Sequence, residues 1–333
     1  MIKKTICLVS LVCLLCACGT TKKQVEQQPV VNIEFSADSA YLFCAAQCSY
    51  GPRVMNSEAH EQCGEWIRQK FQQYGYQVEM QKADLKGYDG TILKSTNIIA
   101  KASSQAKKAG GATSSILICA HWDCRPWADN DPDSANWHKP VMAANDGASG
   151  VAMIMEICRL LQQNPIKVGI DFICFDAEDM GTPQWAETEE STSETWCLGS
   201  KFWAERAREN GYHARYGVLL DMVGGRGSVF PSEKVSLDYA QPIASLFVRL
   251  GNQLGYGHYF PLDKEGGFLM DDHVNINHIA RIPCIDIVPN FTDGPSSFGP
   301  TWHTVNDTPE NIDTNVLEAV GQTLTQLIYN EEL

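Results

Sequence analysis

The stretch KVGIDFICFDAEDMG, residues 167–181, places a mostly apolar run directly before three carboxylates. The run is typical of a short strand that is buried in a parallel sheet. Asp176, Glu178 and Asp179 follow it within four positions. Adjacent carboxylates at the end of a buried strand repel each other and lose hydration, so they need a cation, a proton or open solvent beside them.

Further short runs of apolar and β-branched residues also predict buried strands. They are TNIIAKA (96–102), SSILICA (114–120), YGVLLDMV (216–223) and IPCIDIVP (282–289). The stretches 57–76, 150–164 and 238–256 predict helices. Helices that alternate with apolar strands favour an α/β fold. We expect a single-domain three-layer sandwich with a central mixed, mainly parallel β-sheet flanked by helices.

The first twenty residues, MIKKTICLVSLVCLLCACGT, predict a secretory signal peptide. Lys3 and Lys4 precede an apolar stretch that is too short to span a bilayer comfortably, and small residues follow it. The run Leu15 to Cys18 resembles a bacterial lipobox, which implies cleavage before Cys18 and attachment of lipid to its thiol. The alternative is an ordinary cleaved signal peptide without lipid.

These features predict three segments. A lipoprotein signal peptide covers residues 1–17, a flexible polar tether covers 18–34, and one folded domain covers 35–333. No later segment approaches the roughly 20 consecutive apolar residues of a membrane helix, so contact with a membrane is expected only through the lipid at Cys18. We expect the protein in the bacterial cell envelope, facing the periplasm or the surface.

Charge and cysteine content narrow the function further. The chain carries a net charge of −14, and its Lys and Arg residues form no run that could gather phosphates, which argues against nucleic acid as a partner. Nine of the 13 cysteines lie beyond the signal region, and no C-x-x-C spacing suggests a zinc or redox site. Four of the nine stand inside apolar runs and are predicted to be buried thiols: Cys119, Cys158, Cys174 and Cys284.

Polar residues that could carry chemistry stand at the ends of the apolar runs. They are His121, Asp146, Glu178, Asp179, Asp221 and His303. Because the carboxyl ends of parallel strands meet at one edge of a sheet, we expect these side chains to converge there. Each one alone is usually structural, as a hydrogen-bonded histidine or a capping aspartate. Together they form a mixed nitrogen and oxygen ligand set of the kind that zinc accepts.

The order of these motifs resembles the zinc aminopeptidase-like family. His-x-Asp at 121–123, Asn-Asp-Gly-Ala-Ser-Gly at 145–150, the acidic pair at 178–179, Leu-Asp-Met at 220–222 and His-Thr-x-x-Asp at 303–307 carry the resemblance. Within the family the chain is most similar to the bacterial relatives of animal-type glutaminyl cyclases. YGPRVMNSEAH at 50–60 and DDHVNIN at 271–277 also fit. The resemblance covers residues 35 to 330.

The resemblance implies one zinc ion bound by Asp146, Asp179 and His303. It makes Glu178 the general acid and base, so the acidic pair has two functions: Asp179 faces the metal and Glu178 faces the moving proton. The family more commonly has a Glu-Glu pair, and Asp179 is one methylene shorter. An aspartate still reaches zinc at about 2.0–2.2 Å if the backbone comes closer.

The resemblance also implies a substrate pocket. Asp221 and Asp271 are expected to hold Glu178 and the substrate amine through hydrogen bonds. The aromatic walls would be Trp302, Phe298 and, in the acidic loop 182–196, Trp185. The implied reaction converts the N-terminal glutamine of peptides or proteins to pyroglutamate and releases ammonia, with one zinc ion as Lewis acid.

Two alternatives remain. A dizinc aminopeptidase of the same fold would hold a second ion through His121 and Asp221, and both residue types are present here. A catalytically silent binding module of the envelope is disfavoured because none of the ligand types is missing. The sequence leaves open the physiological substrates and the pairing of the remaining cysteines; a monomer is expected.

Overall fold

The computed structural model describes residues 28–101, 115–186 and 193–332. The predicted signal peptide, Cys18 and most of the predicted tether therefore lie outside the described residues, as do positions 187–192 of the acidic loop. Among the helices in the described ranges, none has the length and apolar character needed to cross a membrane.

A six-stranded sheet forms the centre of the molecule. The strands are β1 (Gln77–Lys86), β2 (Ile92–Lys101), β3 (Ser115–His121), β4 (Ile170–Phe175), β5 (Ala214–Leu220) and β6 (Cys284–Ile287). Their order across the sheet is β1-β2-β4-β3-β5-β6. Strand β2 pairs antiparallel with β1 and β4, whereas β4, β3, β5 and β6 run parallel to one another.

Helices cover both faces of this sheet. They are α1 (Ala37–Cys48), α2 (Glu58–Gln73), α3 (Ala148–Gln163), α4 (Leu198–Glu209), α5 (Lys234–Gln253), α6 (Asp272–Asn275) and α7 (Thr314–Tyr329). One apolar core joins α1, α2, α3, α5 and α7 to one face. A second core joins α4 and the π-helical turn Ile276–Ala280 to the other face. The predicted three-layer sandwich with a mixed, mainly parallel sheet is confirmed.

The predicted helix over 57–76 corresponds to α2, whose apolar stripe Cys63, Ile67 and Phe71 is fully buried. Ser57 caps its first turn by accepting a hydrogen bond from the backbone N–H of His60, as serine commonly does at a helix start. Local sequence therefore fixes both the start of this helix and the face that it buries.

Strand β1 was not among the predicted strands. It lies at the edge of the sheet, where its side chains alternate between exposed and half-buried, so its sequence QVEMQKADLK lacks the apolar run of a central strand. The helix predicted over 238–256 begins earlier, at Lys234. Pro242 lies within it and Ala240, two residues earlier, has non-helical backbone angles, so the helix is kinked where proline removes a backbone hydrogen bond.

All nine cysteines of the described residues are buried and form no disulfide. The four thiols predicted to be buried are confirmed: Cys119, Cys158, Cys174 and Cys284.

The parallel strands place the chemistry at one edge. His121 is the last residue of β3, Asp176 follows β4 directly, and Asp221 follows β5 directly. Asp146 lies two residues before α3, directly ahead of the N-cap residue Gly147. Residues far apart in sequence therefore meet at the carboxyl edge of the sheet, where α/β folds bind ligands.

Replacing Phe71 by alanine should test the first core. Phe71 is fully buried and stacks on Phe172, with ring centroids 6.1 Å apart. We expect Phe71→Ala to lower the free energy of unfolding by about 3–5 kcal/mol. Urea unfolding measures this, and Leu42→Ala on α1, which is 65% exposed, should change it by less than about 0.5 kcal/mol. Equal effects of the two substitutions would contradict this packing.

Candidate active site

Asp146 is held at the start of α3 by its backbone. The N–H groups of Asn145 and Asp146 donate to the two carboxylate oxygens of Asp307, at 2.8 and 3.0 Å. Gly147 has a φ of +102°, and a Cβ there would lie 2.7 Å from the carbonyl oxygen of Asp123. Only glycine fits this tight turn without strain, and the turn directs Asp146 toward the edge of the sheet.

The acidic pair is fixed in a similar way. Ala177 has a φ of +53°, which turns the chain sharply after β4. The N–H groups of Glu178 and Asp179 then each donate to one oxygen of Asp123, both at 3.2 Å. One buried carboxylate therefore orients two neighbouring residues, and these two residues point in different directions.

The three predicted ligands Asp146, Asp179 and His303 come together. Nε2 of His303 lies 3.0 Å from Oδ1 of Asp179 and 3.4 Å from Oδ2 of Asp146. One ligand atom from each residue lies within 4.8 Å of the others, and all three residues are buried. Both oxygens of Asp179 and Oδ2 of Asp146 accept no well-directed hydrogen bond among the described residues, and their close contact with His303 is electrostatic.

Electrostatics show that this trio favours positive charge. Burial alone would lower the pKa of His303, but the negative charge of Asp179 and the contacts with both Asp146 and Asp179 together raise that pKa to about 9. Burial alone would raise the pKa of Asp146, but the neighbouring imidazoles of His121 and His303 hold it below its usual range. Unpartnered buried carboxylate oxygens beside an imidazole, in a nitrogen and oxygen donor set, fit a zinc ion.

A second group of possible ligands lies beside the first. Nε2 of His121 is 3.0 Å from Oδ1 of Asp146 and 3.2 Å from Oδ1 of Asp221, and these three residues also satisfy the spacing of a metal site. Here, however, His121 and Asp221 hydrogen-bond to each other. This hydrogen bond partly balances the second group without a cation, whereas the oxygens of Asp179 in the first group accept no well-directed hydrogen bond.

Glu178 lies between these ligands and a further group of acids. Burial raises its pKa well above the usual range; His121 opposes this, and the charges of Asp179 and Asp271 add to it. Asp271 itself has a pKa raised to about 7, first by burial and then by the charge of Asp221. Carboxyl groups that hold a proton near neutral pH suit proton transfer.

Asp271 is supported by a second buried layer. It caps α6 by accepting a hydrogen bond from the backbone of Asp272 at 2.5 Å. Behind it, the imidazole of His273 lies between two acids, 3.2 Å from Glu233 and 3.6 Å from Asp286. Asp271 therefore lies next to a buried imidazole that is flanked by acids.

A pocket of about 310 Å³ opens over these groups. Its wall includes Asp146, Glu178, Asp179, Trp196, Asp221, Met222, Phe268, Leu269, Met270, Asp271, Phe298, Trp302 and His303. The rings of Phe298 and Trp302 lie 4.8 Å apart, and Trp302 stacks on His303 at 3.8 Å. A pocket with acids on one side and aromatic rings on the other can hold a short polar chain that ends in an amine.

The structure places one predicted aromatic residue elsewhere. Trp185 does not line this pocket but packs against Trp127 and His138, with ring centroids 5.9 and 4.6 Å away. Another tryptophan of the same loop, Trp196, occupies the wall instead and stacks parallel to His303 at 6.0 Å. The substrate-binding role of Trp185 stays a prediction.

Sequence analysis did not identify Arg125. Its side chain is buried, pairs with both oxygens of Asp129 at 3.0 and 2.6 Å, and donates to the backbone oxygens of Asp179 and Gly181. Its guanidinium also lies 4.6 Å from the ring centre of Trp196. The run of charged and aromatic residues after β3, HWDCRPWADND, is the signal that could have indicated it.

A protein-family model for Peptidase family M28 matches residues 97–328 of this chain. The matched region holds every residue named above for the metal-ligand groups and for Glu178. The chain belongs to Peptidase family M28. The zinc aminopeptidase-like fold expected from the sequence agrees with this membership.

Solved structures place this M28 chain near glutaminyl cyclases. The glutaminyl cyclase of Bacteroides thetaiotaomicron, bound to N-acetylhistamine, is 46% identical, covers 91% of this chain and 99% of its own, and superposes with a TM-score of 0.84. A leucine aminopeptidase precursor from the same organism is 47% identical. The match covers 90% of this chain and 99% of the precursor chain, and the TM-score is also 0.84.

Among curated proteins, the glutaminyl-peptide cyclotransferase of Bothrops jararaca is 23% identical over 261 residues, which is 69% of this chain. The chain spans 38% and 63% of the lengths of two curated relatives that it matches. Bacterial glutaminyl cyclases and an animal cyclotransferase thus both resemble this M28 chain.

Replacing one ligand residue of the first group, Asp146, Asp179 and His303, should abolish its binding of zinc. We expect His303→Ala and Asp146→Ala each to lose bound zinc, because a three-ligand site without one protein ligand binds poorly. His121→Ala should retain more zinc, since His121 belongs only to the second group. Elemental analysis of the purified variants measures this, and wild-type zinc content in His303→Ala would show that the ligands are wrongly assigned.

Proposed function

We propose that this chain is a glutaminyl-peptide cyclotransferase, which converts the N-terminal glutamine of peptides or secreted proteins to pyroglutamate and releases ammonia. The observation that carries the proposal is the wall of the pocket. Three rings, of Trp196, Phe298 and Trp302, stand beside the ligand group, and Glu178 and Asp271 stand among the acids on the same pocket. The similarity to glutaminyl cyclases across nine-tenths of the chain supports the same conclusion.

The reaction needs one proton to move twice. The α-amine nitrogen bonds to the side-chain amide carbon and closes a five-membered ring, and the bond from that carbon to the amide nitrogen breaks. Glu178 accepts the proton that the attacking amine loses and delivers it to the departing nitrogen, so ammonia leaves. Burial and neighbouring acids, which raise the pKa of Glu178, suit a group that must hold the proton midway.

The remaining residues position the substrate. Asp221 and Asp271 lie on the pocket beside Glu178 and are placed to accept hydrogen bonds from the substrate amine. The rings of Trp302 and Phe298 cover the other side and exclude water from the glutamine side chain. Because attack is intramolecular, this positioning supplies a large part of the rate enhancement.

The proposed cofactor is one zinc ion. Bound to Asp146, Asp179 and His303, it supplies Lewis-acid chemistry toward the side-chain carbonyl. The unpartnered oxygens of Asp179, compared with the hydrogen bond that already joins His121 and Asp221, support a single ion in the first group.

A dizinc aminopeptidase is the second candidate. The group His121, Asp146 and Asp221 and the similarity to a leucine aminopeptidase precursor favour it. The two activities give different products from a peptide that begins with glutamine. Cyclisation releases ammonia and leaves each peptide bond intact, whereas an aminopeptidase releases free glutamine.

Replacing Glu178 tests the proposal directly. Glu178→Gln should keep its zinc yet lose about 10²–10⁴-fold in ammonia release, because general acid and base groups contribute this much and Glu178 acts in both proton transfers. Glutamate dehydrogenase-coupled detection of ammonia, with mass spectrometry of the peptide, measures both products.

The matched control for that substitution is Glu205→Gln, which changes an exposed glutamate on α4 and should leave the rate unchanged. Wild-type protein that shortens the peptide by one residue would establish the aminopeptidase instead. Ammonia release by Glu178→Gln at the wild-type rate would show that Glu178 is not the general acid and base.

We also propose that the protein is a monomer that is anchored to the cell envelope by lipid on Cys18. The motivation is the lipobox-like run that ends at Cys18, followed by a polar stretch. Its substrates would then be peptides and proteins outside the cytoplasm, and membrane contact would be through the lipid.

Cys18→Ala should move the protein from the membrane fraction to the soluble fraction, because the thiol that carries the lipid is removed. Fractionation followed by immunoblotting measures the distribution. Cys16→Ala, two positions earlier in the signal region, is the control and should remain with the membrane. Unchanged fractionation of Cys18→Ala would disprove the anchor.

A further inference from the structure

Cys197 lies directly beside the proposed general acid and base, although its sequence position gives no hint of this. It has a φ of +54° and precedes α4. Its backbone N–H donates to the carbonyl oxygen of Glu178 at 2.9 Å, and the N–H of Leu198 donates to that of Ala177 at 3.0 Å. The start of α4 is therefore fastened to the turn that carries the acidic pair.

The thiol of Cys197 reaches the catalytic carboxylate. Its Sγ lies 3.2 Å from Oε1 of Glu178, with hydrogen-bond geometry, and Cys197 is only 1% exposed. The nearest imidazole atom, Nδ1 of His121, lies 3.9 Å from Oε2, which is too long for a hydrogen bond. Within the described part of the chain, the thiol is thus the hydrogen-bond donor to this carboxylate.

The thiol keeps its proton in this position. Burial raises the pKa of Cys197 well above the usual range, and the negative charges of Glu178, Asp272 and Asp271 add to the effect. A thiol of this kind donates a hydrogen bond at neutral pH and does not act as a nucleophile. The backbone of Cys197 is fixed further because Asn275 and Ser200 both donate to the carbonyl oxygen of Cys197, at 3.2 and 3.0 Å.

We propose that Cys197 is a positioning residue for Glu178: its S–H group holds Oε1 and leaves Oε2 to exchange the proton with substrate. A glutamate side chain has three rotatable bonds, and a general base must lie within hydrogen-bond reach of the proton that it takes. Holding one oxygen reduces the carboxylate to one orientation. This inference rests on the proposed function, in which Glu178 moves the proton.

The test compares Cys197→Ala and Cys197→Ser with wild type on a peptide that begins with glutamine. The alanine variant should lose about tenfold in kcat. This loss corresponds to a hydrogen bond to a charged group whose free energy lies at the weak end of the usual range. Its KM and zinc content should stay within about twofold of wild type. Serine also donates a hydrogen bond and should restore kcat to within about threefold.

Two further variants separate positioning from folding. Cys197→Gly also lacks the donor but tolerates the positive φ, so it should lose kcat as alanine does even if alanine destabilises the turn. Cys158→Ala, which removes another fully buried thiol away from the pocket, should keep wild-type kcat. In a Glu178→Gln background, Cys197→Ala should have no further effect on the residual rate.

Wild-type kcat in both donor-free variants would overturn the proposal, as would an equal tenfold loss in the Glu178→Gln background. Loss of zinc from Cys197→Ala would also overturn it, because the thiol would then be a metal ligand together with Glu178 and Asp271. If wild type releases glutamine rather than ammonia, the proposed function fails. The same variants are then compared by peptide hydrolysis, where Glu178 also transfers protons, and the same pattern of rates would uphold the role of Cys197.

Discussion

The structure of the site depends on the concentration of buried carboxylates at the carboxyl edge of the sheet. Asp146, Asp179, Asp221 and Asp271 lie on one pocket, and the imidazoles of His121 and His303 lie between them. Charges of one sign in a low-dielectric site are unfavourable unless protons or cations balance them. The raised pKa values of Glu178 and Asp271 show where protons can remain, and the unpartnered oxygens of Asp179 show where a cation fits.

The backbone supports this arrangement at a cost in strain. Ala177, Cys197, Met222 and His303, none of them glycine, have φ between +50° and +54°. Such residues cost about 1–3 kcal/mol each and persist only where the surrounding structure holds them. Here Asp123 binds the two N–H groups that follow Ala177, and the start of α4 binds the carbonyl oxygens of the same turn. Stability from the two apolar cores thus maintains the local geometry that catalysis requires.

Much of this could be predicted from the sequence, and the limits have physical causes. Buried strands and the α2 stripe were found because burial imposes a period on the sequence. The ligands Asp146, Asp179 and His303 were named from the resemblance to a known family, and the structure brings these three residues together. Edge strand β1 was missed because one-sided burial leaves a mostly polar sequence. Sequence alone could not show that Trp196, which packs against Arg125 and Gly181, reaches the pocket while Trp185 does not. Cys197 could not be found because its partner is set by the turn after β4.

The two ligand groups share one residue, and this sharing bears on the choice between cyclase and aminopeptidase. Asp146 faces His121 with Oδ1 and His303 with Oδ2, so an ion in each group would use one oxygen of the same carboxylate. The second group can balance its charge with a proton shared between His121 and Asp221. In the first group, both oxygens of Asp179 are buried without a well-directed hydrogen bond, although Nε2 of His303 lies 3.0 Å from one of them. A cation in the first group would satisfy carboxylate oxygens that lack directed hydrogen bonds, so hydrogen bonding rather than the identity of the ligands distinguishes the two groups.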